Sequence, residues 1–455
     1  MAADQVPADA RLVEAVRARD EDAVWAALGA GADPDVRGGD GLPVLCAAVA
    51  GFDHAVAHAL VTMGADPDLP LPDGTTPLLR AVDLGSYAVL GAVLGEDPVL
   101  RLGPAERERL LGLARSWYAT GAQAELRRRT GAEGPGETLL IEEDFCQVEQ
   151  VSLGGLTVRA GHGAVLTTLE WTFRIATPVD ELVARAVRQP DDRHVDGAAC
   201  QYVLAQRPDR ATWEAVMAYR RHPDPRHRRF TASFLTTNRM VPPALVPSFE
   251  EEKEDELLAV WAAEETDGEV LAEVLQALLM RDHPGTEGLA LRHADHPDRE
   301  VRTVATHCLG AGGQPFSAEV TACLLRLARD EWPPVRAGVA RRLENRPLTE
   351  EFRAVLLALA GDEDARVRLS AGCALAESDA SDDRTGEVAD ALAALSDEED
   401  QRARVVGAYG LVVRGDRRAA EAVDRVGGLP WHEYRYDHRA EAIWAWRTRG
   451  GAEGT

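Results

Sequence analysis

Three segments share one spacing of apolar positions. "DREVRTVATHCL" (298–309), "WPPVRAGVARRL" (332–343) and "DARVRLSAGCAL" (364–375) all read V-R-x-x-(A/V)-x-x-x-L. Apolar residues four apart predict helices with a single buried stripe. The anchor arginines are Arg302, Arg336 and Arg368. The pattern extends forward to Arg404 and Arg439 and backward to Leu271, Arg229 and Asp196. Successive spacings are 33, 42, 31, 34, 32, 36 and 35 residues, so eight units are expected across 177–449. The first begins at Thr177-Pro178-Val179-Asp180, which predicts a helix with Thr177 as cap and Pro178 at its first position.

A second period precedes this one. "GAGADPD" ends at Asp35 and "TMGADPD" ends at Asp68, with Gly31 and Gly64 33 residues apart. Each is followed by a turn and a helical opening, "DGLPVLCAAVAG" (40–51) and "DGTTPLLRAVDLG" (73–85). The glycines predict a helix end and a left-handed turn. Residues 9–35 form a first unit without the turn, and 105–131 a closing helical pair.

The stretch "TTPLLRAV" resembles the opening of an ankyrin repeat, with Leu79 where that family prefers His. "LPVLCAA" departs from it at Leu42. The later array is similar to the HEAT-repeat family, in which two antiparallel helices form each unit. That resemblance implies that an Asp in the turn (Asp298, Asp364 or Asp400) pairs with the arginine of the second helix. The expected fold is therefore all-α, a double solenoid. It comprises an ankyrin-repeat domain (1–131), a connector (132–176), a HEAT superhelix (177–449) and a disordered tail (450–455).

The connector reads differently. Gly154-Gly155 lies between β-favouring arms in "VSLGGLTVR", which predicts a β-hairpin. Val165, Leu166, Leu169 and Phe173 then fall at helical spacing. His162, between two glycines, is read as a residue at the helix start.

Composition narrows the possible functions. The 455 residues carry a formal charge of −26, and aromatic residues make up 5%. Lys253 is the sole lysine, in "FEEEKEDE", which excludes a phosphate-binding P-loop and argues against a Schiff-base lysine. The Ala/Arg/Gly/Asp bias suits a GC-rich bacterial genome. The six cysteines form no C-x-x-C pair, so neither a zinc site nor a disulfide framework is expected. No secretion signal or membrane span is apparent, and the cytoplasm is the expected compartment. His54/His58 and His283/His293/His296 lack supporting ligands and are read as surface or turn residues. No catalytic residue, cofactor or metal is expected.

The charge also bears on partners. An acidic chain favours a basic partner and opposes phosphate backbones. Against this background "RRHPDPRHRRF" (220–230) stands out for its five arginines. Register with "HADHPDREVRTVA" assigns Arg229 to the structural arginine position and leaves Arg220, Arg221 and Arg226 as contact candidates. Their expected counterparts are the neighbouring acidic tract (249–269) or an acidic patch on a partner. Further candidates are Arg37, Leu69, Leu71, Asp83 and Leu84 in the first array, and Trp431, Tyr434 and Tyr436 near the end. Terminal capping is the other reading of those aromatics. The function expected is a non-catalytic interaction scaffold for a protein or peptide. Two alternatives remain: an inhibitor or immunity-type protein that sequesters one toxin or enzyme, and a DNA-binding enzyme resembling the HEAT-like alkylpurine glycosylases.

Overall fold

The computed structural model describes residues 7–207, 209–240, 251–281, 283–310, 315–379, 385–430, 434 and 436–450. It is mostly helical, with one small antiparallel sheet. Two compact units divide it, Met1–Phe249 and Glu250–Thr455, so residues 177–449 are shared between them.

The first unit opens with three helix pairs. These are α1 (Ala8–Ala18) with α2 (Glu21–Gly29), α3 (Val44–Ala50) with α4 (His54–Thr62), and α5 (Pro77–Leu84) with α6 (Tyr87–Leu94). Asp20, Asp53 and Ser86 cap the second helix of each pair, accepting from the N–H groups of Ala23, Val56 and Val89. These caps are 33 residues apart, so the sequence period is also a period of hydrogen bonds. Gly31 and Gly64 follow the second helices at φ +87° and +101°, a conformation that costs glycine little. Aspartates stitch successive turns together: Asp9 accepts from the Asp33 N–H and Asp35 from the Asp66 N–H, and Asp68 pairs with Arg101 at 2.6 Å. Leu12, Leu45, Leu60, Leu78 and Leu90 form the centre of the core.

After α7 (Pro98–Arg101), α8 (Pro104–Thr120) and α9 (Ala122–Thr130) comes the sheet. Its strands are β1 (Glu137–Glu143), β2 (Cys146–Leu153) and β3 (Leu156–Arg159), in that order. The expected hairpin at Gly154-Gly155 joins β2 to β3. β1 was not expected, and the connector holds a three-stranded sheet instead of a hairpin alone. Its turn, Asp144-Phe145, has φ +51° and +64° at its two residues. A two-residue turn of that kind normally announces itself by Asn or Gly, and here it does not.

The unit continues through α10 (His162–Thr172), α11 (Val179–Ala186), α12 (Val195–Ala205), α13 (Arg210–Met217) and α14 (Pro225–Met240). α10 begins at His162, as its spacing implied. Thr177 does not cap α11. Its hydroxyl donates to Glu170 at 2.9 Å, and Glu170 also accepts from the buried Arg185 at 3.0 Å. A buried guanidinium needs its donors satisfied, and that requirement outweighs a local cap.

The second unit runs through α15 (Glu251–Glu264), α16 (Gly268–Leu279), α17 (Thr286–His293), α18 (Arg299–Cys308), α19 (Ala318–Leu327) and α20 (Pro333–Leu343). It ends with α21 (Glu350–Ala360), α22 (Ala365–Ala376), α23 (Glu387–Ser396), α24 (Gln401–Val413), α25 (Ala419–Val426) and α26 (His438–Gly450). Here the arginine pattern becomes a ladder. Arg302, Arg336, Arg368 and Arg404 each stand fourth in their helix. Each donates Nη1 to two carbonyls of its own turn, five and six residues earlier. The first three also grip an acid of the next turn: Arg302 binds Asp330 (2.8 and 3.0 Å), Arg336 binds Asp362 (2.7 and 2.7 Å) and Arg368 binds Glu398 (2.6 and 3.1 Å).

Two expectations are corrected here. Asp298, Asp364 and Asp400 do not bind the arginines. They cap α18, α22 and α24, and the acids that do bind the arginines stand two residues before a cap position, as Asp362 does before Asp364 and Glu398 before Asp400. Arg439 is not a rung either. It is second in α26 and bridges Glu344 and Glu377 at 2.7 and 2.9 Å.

Candidate interaction surfaces

The arginine-rich stretch lies in the first unit, at the start of α14. Asp224 is tied into the turn: its N–H donates to His222 Nδ1 at 3.1 Å and its carboxylate binds Arg226 at 2.9 Å. The Arg226 hydrogen bond holds that carboxyl below the usual carboxylate range. His222 stacks on His227 with centroids 3.9 Å apart, and Tyr219 lies 5.5 Å from His227. Burial, then the neighbouring His222, lower the His227 pKa. Arg228 donates Nη1 to the carbonyls of His222 and Pro223 at 3.0 and 3.2 Å. Those are the acceptors, five and six residues back, that define the ladder. The structural arginine is therefore Arg228. Arg229 instead reaches Asp192 at 2.6 Å.

Beside this corner is a recess of about 40 Å³, lined among others by Arg226, Arg229, Asp192, Gln189, Gln201 and Ser233. It offers guanidinium, amide and hydroxyl groups to a small polar group. Arg221 is exposed and Arg220 half-buried. Arg226 pairs with Asp224 and Arg229 with Asp192. In the acidic tract, Glu254 and Asp255 bind Arg281, at 2.9 and 3.0 Å.

The first-array candidates divide by burial. Arg37 is exposed and donates to the Gly41 carbonyl at 2.7 Å; Leu69 is half-buried. Leu71 is 5% exposed, so it belongs to the turn's interior and not to a contact surface. Leu84 packs half-buried against the core. Asp83 is a structural hub. It accepts from Trp117 Nε1 and from both Nη atoms of Arg129, each at 2.8 Å. His162 stacks on Trp117 at 4.5 Å and donates toward the Asp83 carbonyl at 3.2 Å. Burial presses its pKa down to about 4. His162 is thus part of the core joining α5, α8 and α10.

At the other end, Tyr434 is 7% exposed and sits in the second unit's core, whereas Tyr436 is 85% exposed. Trp431 lies outside the described residues, as do 451–455. In the same unit an open groove of about 850 Å³ runs between α19 and α21. Ala322, Leu325, Ala354, Val355 and Ala358 line it, with Arg326, Arg329 and Glu351 as its charged residues.

Other polar candidates have structural roles. His283 and His296 each accept a backbone N–H through Nδ1, as His194 and His222 do. His54 and His58 are exposed on α4. Burial pushes the Cys200 and Cys308 thiols up to about 12, the reverse of what a nucleophile needs. Among the described residues, no group of three or more His, Cys, Asp or Glu is placed to hold a metal ion. No helix among them is long and apolar enough to cross a membrane.

No family model and no curated protein sequence matches the chain. Among solved structures it is similar to the YibA protein of Escherichia coli, a structural-genomics target, at 16% identity and a TM-score of 0.42. That likeness covers 59% of this chain and 90% of the other. It is also similar to an engineered protein at 17% identity and a TM-score of 0.36, over 96% of this chain and 99% of the other.

Proposed function

We propose that this protein is a non-catalytic interaction scaffold, an ankyrin-repeat array followed by a HEAT-repeat array, that binds a basic protein partner in the cytoplasm. The observation that carries the reading is the groove between α19 and α21. It is open and lined mainly by alanine, leucine and valine. Such a surface suits the apolar stripe of a partner helix. The charge of −26 draws a basic protein toward it. The period of caps at Asp20, Asp53 and Ser86 supports the first repeat reading, and the ladder of Arg302, Arg336 and Arg368 supports the second.

The ladder also weighs against the DNA-enzyme alternative. Its three paired arginines already hold carboxylates and have little left to offer phosphates. Affinity capture with the full chain, read by mass spectrometry at low and high salt, tests the proposal. Ala322→Glu and Ala358→Glu alter exposed groove positions and are expected to abolish capture of the main client. An unchanged client set, or tight DNA binding in its place, overturns the reading.

A further inference from the structure

The strand β1 lies at the edge of the first unit's sheet and is largely exposed. It pairs with β2 in unbroken register over seven positions, from Glu137↔Ser152 to Glu143↔Cys146. β2 is covered along both edges, by β1 on one side and by β3 on the other. Beyond β3, the Gln147 N–H donates to the Arg193 carbonyl at 2.8 Å. Among the described residues β1 pairs with β2 alone, so its outer edge presents free backbone donors and acceptors over about 20 Å.

Natural edges are usually blunted by charged side chains, Lys above all, by Pro, by a bulge or by brevity, and the charges of β1 are three glutamates placed toward its ends. β1 has no Lys, Pro or bulge, and at seven residues it is not short. Its centre is apolar: Leu139 is 49% exposed and Leu140 61%. The following turn carries Phe145, 85% exposed and at φ +64°. A bulky side chain in that region is uncommon and strained, and exposure gives it no packing in return. The strand is also held firmly at one end. Glu143 accepts from the Ser86 hydroxyl, from the Ala88 N–H at 2.8 Å and from Arg159 at 3.2 Å. A pre-ordered edge loses little entropy when a partner docks.

We propose that the outer edge of β1 is a docking site for an extended basic segment of a partner protein, which adds as a fourth strand. The charge pattern selects the occupant. Glu133, Glu137, Glu142 and Asp144 are all exposed around Leu139, Leu140 and Ile141. A second copy pairing antiparallel about Leu140 would bring Glu137 of each copy beside Glu142 and Asp144 of the other, and a parallel copy in register would set Glu137 and Glu142 against themselves. Like charges directly opposite destabilise a strand pair. A segment with alternating apolar residues between arginines or lysines meets the same acids favourably. Main-chain bonds then supply affinity, while the Leu139, Leu140 and Phe145 side chains supply apolar contact. This deepens the scaffold reading, on which it rests only for the class of partner. The site itself is separate from the α19–α21 groove.

The test uses the full chain and a fluorescent peptide, Arg-Arg-Val-Thr-Val-Thr-Val-Arg-Arg, followed by polarisation. Binding is expected, with a loss of about tenfold or more when the central peptide amides are N-methylated. That change keeps charge and composition and removes backbone pairing. Leu140→Glu is expected to weaken binding similarly. Glu137→Lys with Glu142→Lys is expected to weaken the basic peptide and favour an acidic one of the same pattern. Thermal melts should show that these exposed substitutions leave the fold intact, and Ala322→Glu in the groove should leave peptide binding unchanged. Three outcomes overturn the proposal: no binding, equal binding of the N-methylated peptide, or self-association through β1 in sedimentation runs. Loss through Ala322→Glu alone would overturn it as well, by placing the peptide in the groove, and would leave the scaffold reading standing.

Discussion

His162 shows what burial does to a single residue. Its ring lies flat against Trp117, and Arg129 is stacked over the same indole, 4.4 Å from its centre. Burial, and to a lesser degree Arg129, keep the imidazole neutral, with a pKa of about 4. The unfolded chain takes up this proton near pH 6.5, and the folded chain resists until about pH 4. Stability from this residue is therefore complete above about 6.5 and is lost as pH falls toward 4. The shift is worth on the order of 3 kcal/mol. His307, lowered to about 4 by burial and by Arg341 and Arg342, works in the same direction. His194 works oppositely in its own window. Its pKa is raised in the face of burial by Glu149 and Asp196, so its contribution is present below 6.5 and fades as pH rises through the folded value. Urea titrations between pH 7 and 4.5 should show the acid loss, and His162→Asn should flatten its slope while lowering stability at pH 7. An unchanged slope would mean that the imidazole is already charged in the fold. The sequence placed His162 at a helix start, which is correct. It could not show the stack, because Trp117 lies 45 residues away and Asp83 lies 79.

At the scale of elements, the ladder explains both a success and an error. The period was legible because every rung repeats the same local geometry, an arginine fourth in its helix below a tight turn. The error at Arg229 arose from matching apolar positions instead of the turn. His222 and His296 both accept the N–H two residues on, and counting six residues from each gives Arg228 and Arg302. Arg228→Met should therefore lower stability by about 1 kcal/mol, because the turn carbonyls of His222 and Pro223 lose a charged donor. Arg221→Met and Arg226→Met should stay within about 0.5 kcal/mol, as exposed positions usually do. Melting curves for the three variants rank them, and equal losses would refute the assignment. Arg336 offers a stricter check. Its pair with Asp362 is mostly shielded from water, so removing either partner alone strands a charge and should cost about 3–5 kcal/mol. Arg336→Met with Asp362→Leu should recover much of that loss, and a double-mutant cycle measures the coupling. β1 stayed hidden for the converse reason. Its turn departs from the residues that usually build such turns, and no pattern of apolar positions reveals Asp144 and Phe145 at positive φ.

Across the whole molecule, the helical character followed from the sequence because small apolar residues at helical spacing fill most of it. The partner-facing surfaces were less legible. Exposure depends on which long-range neighbours cover a side chain, and so Leu71 and Tyr434 turned inward while Tyr436 stayed outside. Net charge, in contrast, follows from the sequence alone. Each arginine held by a carboxylate cancels one acid, so the excess of 26 negative charges remains for the surface and the solvent to accommodate. Self-repulsion of that size destabilises a compact chain, and salt relieves it. Raising ionic strength from about 0.02 to about 0.3 M shortens the screening length from roughly 20 Å to below 10 Å. The melting temperature should therefore rise with salt over this range. Binding of a basic peptide should weaken over the same range, chiefly through slower association. A protein dominated by its internal ion pairs would do the reverse and melt earlier as salt screens them. The two curves, measured on one preparation, separate the long-range field of the chain from the short-range bonds of its ladder.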